Sequence, residues 1–237
     1  MRLSTKYGEK TIEFEVSYRN RRTLAIQVEP LEKILVISPV GLSEDYLKEK
    51  VRSKGKWIVN KLLEFKDMGY IPFKKEFVNG EAFLYSGRNY SLHVLLNSNI
   101  IRPKVELSDS KILITSPSKD QEILKTALQK WYKKEASKLV MKRVDFYKPK
   151  FKAAPKEIKV KEQKRRWGSC TSKGNIYFNW RIIMAPSPVL DYIVVHEMSH
   201  LIQRNHSPGF WKLVESIIPD YKDRKKWLRD YGVRMDL

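Results

Sequence analysis

One stretch decides the fold of this 237-residue chain, and it reads His196-Glu197-Met198-Ser199-His200-Leu201-Ile202-Gln203-Arg204-Asn205-His206. It holds three of the chain's four histidines. Residues four apart lie on the same face of a helix, so His196 and His200 can coordinate one metal ion. Glu197 is rotated about a third of a turn away, where its carboxylate can reach water at the metal without binding the metal itself. The spacing therefore predicts a metal-binding helix that carries its own catalytic base.

His206 can complete this site only if the helix stops and the chain turns back. Asn205 tolerates a left-handed backbone, and Ser207-Pro208 is typical of the N-cap and first residue of a new helix. We therefore expect the first helix to end at Asn205 and His206 to be the third metal ligand.

The same residues have a simpler interpretation, because single histidines are usually structural and a five-residue HExxH pattern also arises by chance. Apolar residues surround this helix on nearly all sides, however, as in a core helix. Two histidines and a glutamate buried there are costly unless something satisfies them, and a metal is the simplest answer. Three protein ligands with one open position are typical of catalytic zinc. The prediction is a Zn²⁺ site for hydrolysis, with Glu197 accepting a proton from water.

The composition bounds the class of protein. Hydrophobic residues make up 42% and charged residues 31% of the chain, which predicts a soluble globular protein. No apolar run approaches the roughly 18 residues of a membrane span. The single cysteine, Cys170, excludes an internal disulfide. Together these features predict a cytoplasmic protein with no membrane partner.

The formal net charge of +20 raises the question of a polyanionic partner. The densest basic run, Lys142 to Arg166, holds eleven basic and three acidic residues. Such a surface can make non-specific nucleic-acid contacts, but solvated lysines that keep the protein dispersed are the plainer interpretation. No nucleic-acid-binding motif accompanies the charge, so both interpretations stay open, as does the oligomeric state.

The first half of the chain contains a repeat. Lys33-Ile34-Leu35-Val36-Ile37-Ser38-Pro39 recurs 78 positions later as Lys111-Ile112-Leu113-Ile114-Thr115-Ser116-Pro117. Each copy follows a strand-like segment, at Leu24–Val28 and Tyr90–Leu95, and precedes one amphipathic helix. These strand–strand–helix units predict an α+β fold with antiparallel pairing, unless the two strand ends are alike by accident.

Three further groups of residues accompany the histidine stretch, namely Arg166-Trp167-Gly168-Ser169-Cys170, Asn175 to Trp180, and Asn205-His206-Ser207-Pro208-Gly209-Phe210-Trp211. In this combination the chain resembles the YgjP-like metal-dependent hydrolases, which are related to the SprT-like zinc peptidases. The resemblance implies a minimal zincin-like metallopeptidase core at residues 119–237, preceded by an accessory α+β region at 1–118. It also implies that His196, His200 and His206 bind zinc and that Glu197 is the general base.

By this resemblance the protein hydrolyses peptide bonds in a peptide or protein substrate. The resemblance also admits two alternatives, a pyrophosphatase acting on nucleoside triphosphates such as UTP and a protease acting on nucleic-acid-bound proteins. In zincins an edge strand before the metal helix pairs with extended substrate, which predicts that role for Ile176–Trp180.

The remaining side chains near the motifs have open roles. Cys170 either approaches the metal as a thiolate or fills the core, as free cysteines commonly do. For transition-state stabilisation the candidates are Tyr192, Arg166 and Arg181, and spacing does not choose among them.

Overall fold

The computed structural model describes residues 1–29, 33–67, 75–163 and 166–237. The chain forms two compact units, residues 1–73 and 74–237. Within the described part there are six α-helices and three β-sheets, which confirms the α+β class.

The first unit is a four-stranded sheet followed by two helices. Its strands are β1 (Arg2–Tyr7), β2 (Lys10–Tyr18), β3 (Ala25–Glu29) and β4 (Lys33–Ser38), in the order β1-β2-β4-β3. The central pair, β2 and β4, is parallel, and the two outer pairs are antiparallel. The helices are α1 (Glu44–Ser53) and α2 (Gly55–Asp67). Buried side chains on alternate positions of the strands, such as Ile34 and Val36, form a core with Leu47 and Val51 of α1.

The second unit begins with a sheet of the same topology. Its strands are β5 (Ala82–Tyr85), β6 (Arg88–Leu96), β7 (Lys104–Ser108) and β8 (Lys111–Ser116), in the order β5-β6-β8-β7. The β6 and β8 strands are parallel, and the outer pairs are again antiparallel. The sequence repeat is therefore a repeat of a whole four-stranded sheet. This mixed pairing corrects the prediction of purely antiparallel units.

The repeat also differs from the sequence prediction in its detail. The segment equivalent to Leu24–Val28 is β7, whereas Tyr90–Leu95 lies in β6, the equivalent of β2. The helix predicted as one piece after β4 is two helices that meet at Gly55. A Cβ at Gly55 would come within 2.2 Å of the Tyr7 ring, so this close contact requires glycine.

The rest of the second unit surrounds one long helix. A third sheet has the order β10-β11-β9, formed by β9 (Glu157–Lys161), β10 (Gly168–Cys170) and β11 (Asn175–Asn179). The helices are α3 (Gln121–Tyr147), α4 (Ser187–Ser199), α5 (Pro208–Ile217) and α6 (Tyr221–Tyr231). The first half of α3 packs in the core of the second sheet, and its second half packs in the core that contains α4. This helix thus connects the repeat to the histidine helix within one compact unit. A functional boundary after residue 118 stays a prediction.

A polar network attaches α4 to α3. The buried Asp191 accepts hydrogen bonds from Arg143, at 2.7 Å from Nη2 to Oδ2, and from the Tyr147 hydroxyl at 3.1 Å. Hydrogen bonding to the Asp191 carboxylate raises the pKa of Arg143 and favours the charged guanidinium. The bidentate geometry sets the orientation of α4 along α3, and therefore the direction in which its histidines face.

No helix in the described ranges of the chain has the length and apolar character needed to cross a membrane.

Replacing Asp191 with alanine tests this network. The change leaves the Arg143 guanidinium and the Tyr147 hydroxyl without their acceptor, so we expect the free energy of unfolding to fall by about 3 kcal/mol. Urea unfolding followed by circular dichroism measures it. Asp145 is exposed on α3, the helix of Arg143, and Asp145→Ala is the matched control, with an expected change under about 0.5 kcal/mol. Equal effects of the two changes would show that the network does not hold α4.

Candidate metal centre

The three histidines of the deciding stretch meet at one place. The ring centroids of His196, His200 and His206 lie 5.0, 4.9 and 4.9 Å apart, a nearly equilateral triangle. One ligand nitrogen from each falls within 4.8 Å of the other two. The Nε2 atoms of His196 and His206 are 3.0 Å apart. Two nitrogens bound to one zinc ion at tetrahedral angles are about 3.3 Å apart, so the spacing fits a shared metal.

A backbone acceptor orients His200. Its Nδ1 lies 3.0 Å from the carbonyl oxygen of Gln203, and with a proton on Nδ1 it donates to that oxygen. This hydrogen bond selects the tautomer whose Nε2 carries a free lone pair. Ligand histidines in metal sites commonly donate their second ring nitrogen in this manner, so the arrangement fits the metal interpretation.

His196 is held in a different way. Among the described residues no group hydrogen-bonds its buried Nδ1. Aromatic rings contact it instead, with Tyr192 at 5.7 Å and Phe210 at 4.9 Å between ring centroids. Burial, followed by the neighbouring histidines, lowers the pKa of His196 to about 3. The ring is therefore neutral near pH 7, which is the form that binds a metal.

Packing under the triad comes from the start of α5. Phe210 is fully buried and contacts all three imidazoles, at 4.9, 4.6 and 4.8 Å between ring centroids. Trp211 stacks on His206 at 5.5 Å, with 20° between the ring planes. Ser207 caps the helix by accepting a hydrogen bond from the Phe210 amide, which confirms the predicted N-cap. This short helix fixes the position of His206.

The end of α4 differs from the prediction. The helix ends at Ser199, and the last turn tightens because the Leu201 and Ile202 amides bond carbonyls three residues back. Asn205 is not among the described residues that have a left-handed backbone. The expected stop at Asn205 is therefore wrong. The chain leaves the helix several residues earlier and returns through a non-helical segment to His206.

Glu197 lies beneath the backbone of β10. Its side chain is buried, and a Cβ placed on Gly168 would come within 2.6 Å of its Oε1 and 2.5 Å of its Cγ. Only a residue without a side chain allows this approach. Burial raises the pKa of Glu197 to about 8, while the positive charge of Arg166 acts to lower it. A divalent cation beside the carboxylate would act in the same direction as Arg166 and favour the ionised form.

The predicted edge strand proves to be the centre of its sheet. β11 contains nearly all of Ile176–Trp180 and pairs with β10 on one side and β9 on the other. It therefore has no free edge for a substrate. β10 pairs only with β11 in the described part, and it borders Glu197, so it is the available edge beside the site.

Hydrogen-bond alternation shows which groups of β10 point outward. The Asn179 amide donates to the Trp167 carbonyl, and the Thr171 amide donates to the Asn175 carbonyl. In an antiparallel ladder, hydrogen-bonded residue pairs alternate with pairs that exchange no hydrogen bonds. Trp167 and Thr171 are in hydrogen-bonded pairs, so Gly168 and Cys170 make no backbone hydrogen bonds to β11. Their own amide and carbonyl groups point to the open edge, where an extended chain could pair with them.

The buried Asn179 bonds the backbone at two points before β10. Its side-chain amide donates to the carbonyl oxygens of Gln163 and Arg166, at 2.6 and 3.2 Å. The second bond fixes the backbone two residues before Gly168.

The three candidates for transition-state stabilisation separate clearly. Arg181 pairs with Glu162 and Asp236 and lies over Trp180, so these contacts give it a structural role. Arg166 and Tyr192 each interact electrostatically with Glu197. Burial, followed by the Glu197 charge, raises the pKa of Tyr192, which therefore keeps its proton and can act as a donor.

Cys170 does not join the histidine group. Its thiol donates to the Thr171 carbonyl at 3.6 Å, and the side chain packs against the core beside α4. Burial, followed by the Glu197 charge, raises the pKa of this thiol, which disfavours a thiolate ligand. The core interpretation fits these contacts. In the basic run before it, Lys164 and Arg165 lie outside the described residues.

Sequence reasoning missed three contributors to this site. Gly168 acts through the absence of a side chain, and Gln203 acts through its backbone carbonyl, so side-chain chemistry signals neither. Lys225 of α6 lies 4.3 Å from the Trp211 ring centroid, and its charge acts on His196 and His206 to lower their pKa values. It is far from the histidines in sequence, and no spacing rule connects them.

Comparison with known families identifies a match over most of the chain. Residues 22–231 match the family model described as YgjP-like, metallopeptidase domain. No curated protein and no solved structure matches the chain. The match covers nearly the whole sequence, including the histidine triad and β10. The chain therefore belongs to the YgjP-like family and carries its metallopeptidase domain.

Proposed function

We propose that this protein is a zinc-dependent metallopeptidase with a zincin-like core. His196, His200 and His206 hold the metal, and Glu197 is the general base. One observation carries the proposal, the convergence of three imidazoles on one point with a buried carboxylate on the adjacent residue of the same helix. The family membership supports the reaction class.

Zinc is the metal we propose for this donor set. Three imidazoles with no thiolate among them leave one coordination position for a substrate or water, as in catalytic zinc sites. When bound, zinc supplies Lewis acidity, which polarises a carbonyl oxygen and makes water a stronger acid. The low pKa of His196 keeps its ring available as a ligand near neutral pH.

Glu197 moves the proton. As a carboxylate it accepts a proton from the attacking water and then donates that proton to the nitrogen of the leaving amine. The backbone of Gly168 covers the carboxylate and keeps it in one orientation. Tyr192 and Arg166, which interact electrostatically with Glu197, are the candidates to stabilise the negative charge that develops on the carbonyl oxygen.

The edge of β10 supports a peptide as substrate. The outward amide and carbonyl groups of Gly168 and Cys170 can pair with an extended backbone, which gives affinity without a strict sequence requirement. Because Gly168 also contacts Glu197, the paired peptide would lie directly beside the base. Pyrophosphate release from UTP and action on nucleic-acid-bound proteins stay predictions. Pyrophosphate release is measured beside casein cleavage with the same preparation. The DNA binding that the other activity requires is measured by the salt dependence of DNA retention.

Glu197→Gln separates metal binding from catalysis. The amide keeps the size of the side chain but cannot accept the proton, so we expect kcat/KM for a peptide to fall by about 10³-fold. Zinc content should stay at the wild-type level, because Glu197 is not a ligand. Elemental analysis and a fluorogenic peptide assay on one preparation measure both. A zinc-loaded variant that cleaves at the wild-type rate would disprove the assigned base.

Gly168→Ala tests the cover over the carboxylate. An added methyl group would lie 2.6 Å from Glu197 Oε1 unless the carboxylate or β10 moves. We expect kcat/KM to fall by at least about tenfold with zinc content unchanged, since displacement of a catalytic group by about 1 Å can cost up to about 100-fold.

Gly209→Ala is the matched control for this experiment. Gly209 lies near the triad in α5, but a Cβ there meets nothing closer than 3.6 Å. Its activity should stay within about twofold of wild type. If Gly168→Ala behaves like this control, the contact with Glu197 does not matter for catalysis.

A further inference from the structure

A basic cavity lies next to the histidine triad and plays no part in the proposed mechanism. It has a volume of about 500 Å³. Two aromatic and four cationic side chains line it, namely Trp211, Tyr221, Lys222, Lys225, Lys226 and Arg229. Trp211 belongs to both places, because its ring also stacks on His206. Trp211 therefore borders both the cavity and the metal centre.

Two carboxylates partly neutralise the cavity. Glu215 lies 3.5 Å from Lys222, and Asp230 lies 2.9 Å from both Lys226 and Arg229. Four cations against two carboxylates leave an excess of positive charge. This excess is available to an incoming anion.

Lys225 is the cation without an acidic partner. No carboxylate oxygen in the described part of the chain lies within 4.0 Å of its ammonium group. The ammonium lies over Trp211 at 4.3 Å from the ring centroid, and Trp211 lies 5.5 Å from the His206 ring. Lys225 Nζ is therefore within about 10 Å of the His206 ring, the span of about three residues of extended peptide.

We propose that this cavity is a specificity subsite, in which Lys225 binds the carboxylate of an Asp or Glu side chain within three residues of the scissile bond. The inference rests on the proposed peptidase function. It extends that function by assigning a substrate class, acidic peptides, to a site that the zinc chemistry alone leaves undefined.

The charge pattern favours a single carboxylate over a polyphosphate. One unpaired ammonium matches one carboxylate, whereas a triphosphate would have to compete with Glu215 and Asp230 for the remaining cations. The aromatic side chains of the cavity do not offer a free ring face on which a nucleobase could stack either. Trp211 already contacts His206, Tyr221 and Lys225.

The test uses the full-length zinc-loaded protein and three sets of fluorogenic peptides. The sets are identical except for Glu, Gln or Lys placed one, two or three residues to either side of the cleaved bond. At the best position we expect kcat/KM for Glu to exceed that for Gln by about fivefold in 50 mM NaCl. The preference should shrink in 500 mM NaCl, where screening is stronger.

Two variants of Lys225 make the assignment specific. Lys225→Gln should abolish the preference for Glu over Gln, and Lys225→Glu should reverse it in favour of the Lys peptides. A reversal of this kind does not follow from a merely structural role of the side chain. Lys212 is exposed on α5 and does not line the cavity, so Lys212→Gln should keep the wild-type preference.

Four outcomes would overturn the inference. The cavity does not select acidic peptides if the wild-type protein cleaves all the peptides equally. The same conclusion follows if the Lys225→Glu protein keeps the preference for Glu. Pyrophosphate release from UTP that Lys225→Glu abolishes would assign the cavity to phosphate instead. A zinc-loaded wild type that cleaves no peptide at all would refute the peptidase proposal itself, and the subsite with it.

Discussion

The burial of α4 is the constraint on which the site depends. The helix is apolar on nearly every side, yet it carries His196 and Glu197 into a region that water scarcely reaches. Desolvation there disfavours the charged forms of both side chains. It therefore lowers the pKa of His196 to about 3 and raises the pKa of Glu197 to about 8. A divalent cation held by neutral imidazoles relieves both costs, because it needs unprotonated nitrogens and stabilises a nearby carboxylate.

The rest of the second unit keeps this helix in place from different sides. The long helix α3 attaches to it through the Arg143–Asp191 pair, and Phe210 supports the three imidazoles from α5. From the remaining direction, β10 covers Glu197 so closely that position 168 has no room for a side chain. The same strand leaves its outer edge unpaired within the described residues. One short segment can therefore both orient the base and receive a substrate backbone.

Features set by neighbouring residues, such as helix spacing and helix caps, are predictable from the sequence. Strand order and contacts between distant segments are not. The spacing of His196 and His200 on a helix, and the N-cap at Ser207, follow from local geometry. The repeated strands were visible, but their neighbours in each sheet were not, because strand order depends on contacts distant in sequence. For the same reason the sequence predicts β11 as the substrate-pairing edge strand, whereas in the structure that strand is β10. The close approach at Gly168 was equally hidden, since a missing side chain has no pattern of its own.

In the proposed site three imidazoles and no thiolate hold one zinc ion. X-ray absorption at the zinc edge of the zinc-loaded protein measures this ligand set. We expect three nitrogen neighbours with the multiple scattering of imidazole at about 2.0–2.1 Å, and no sulfur at about 2.3 Å. A sulfur neighbour, which could come only from Cys170 or a methionine, would contradict it, as would fewer than three imidazoles at full zinc occupancy.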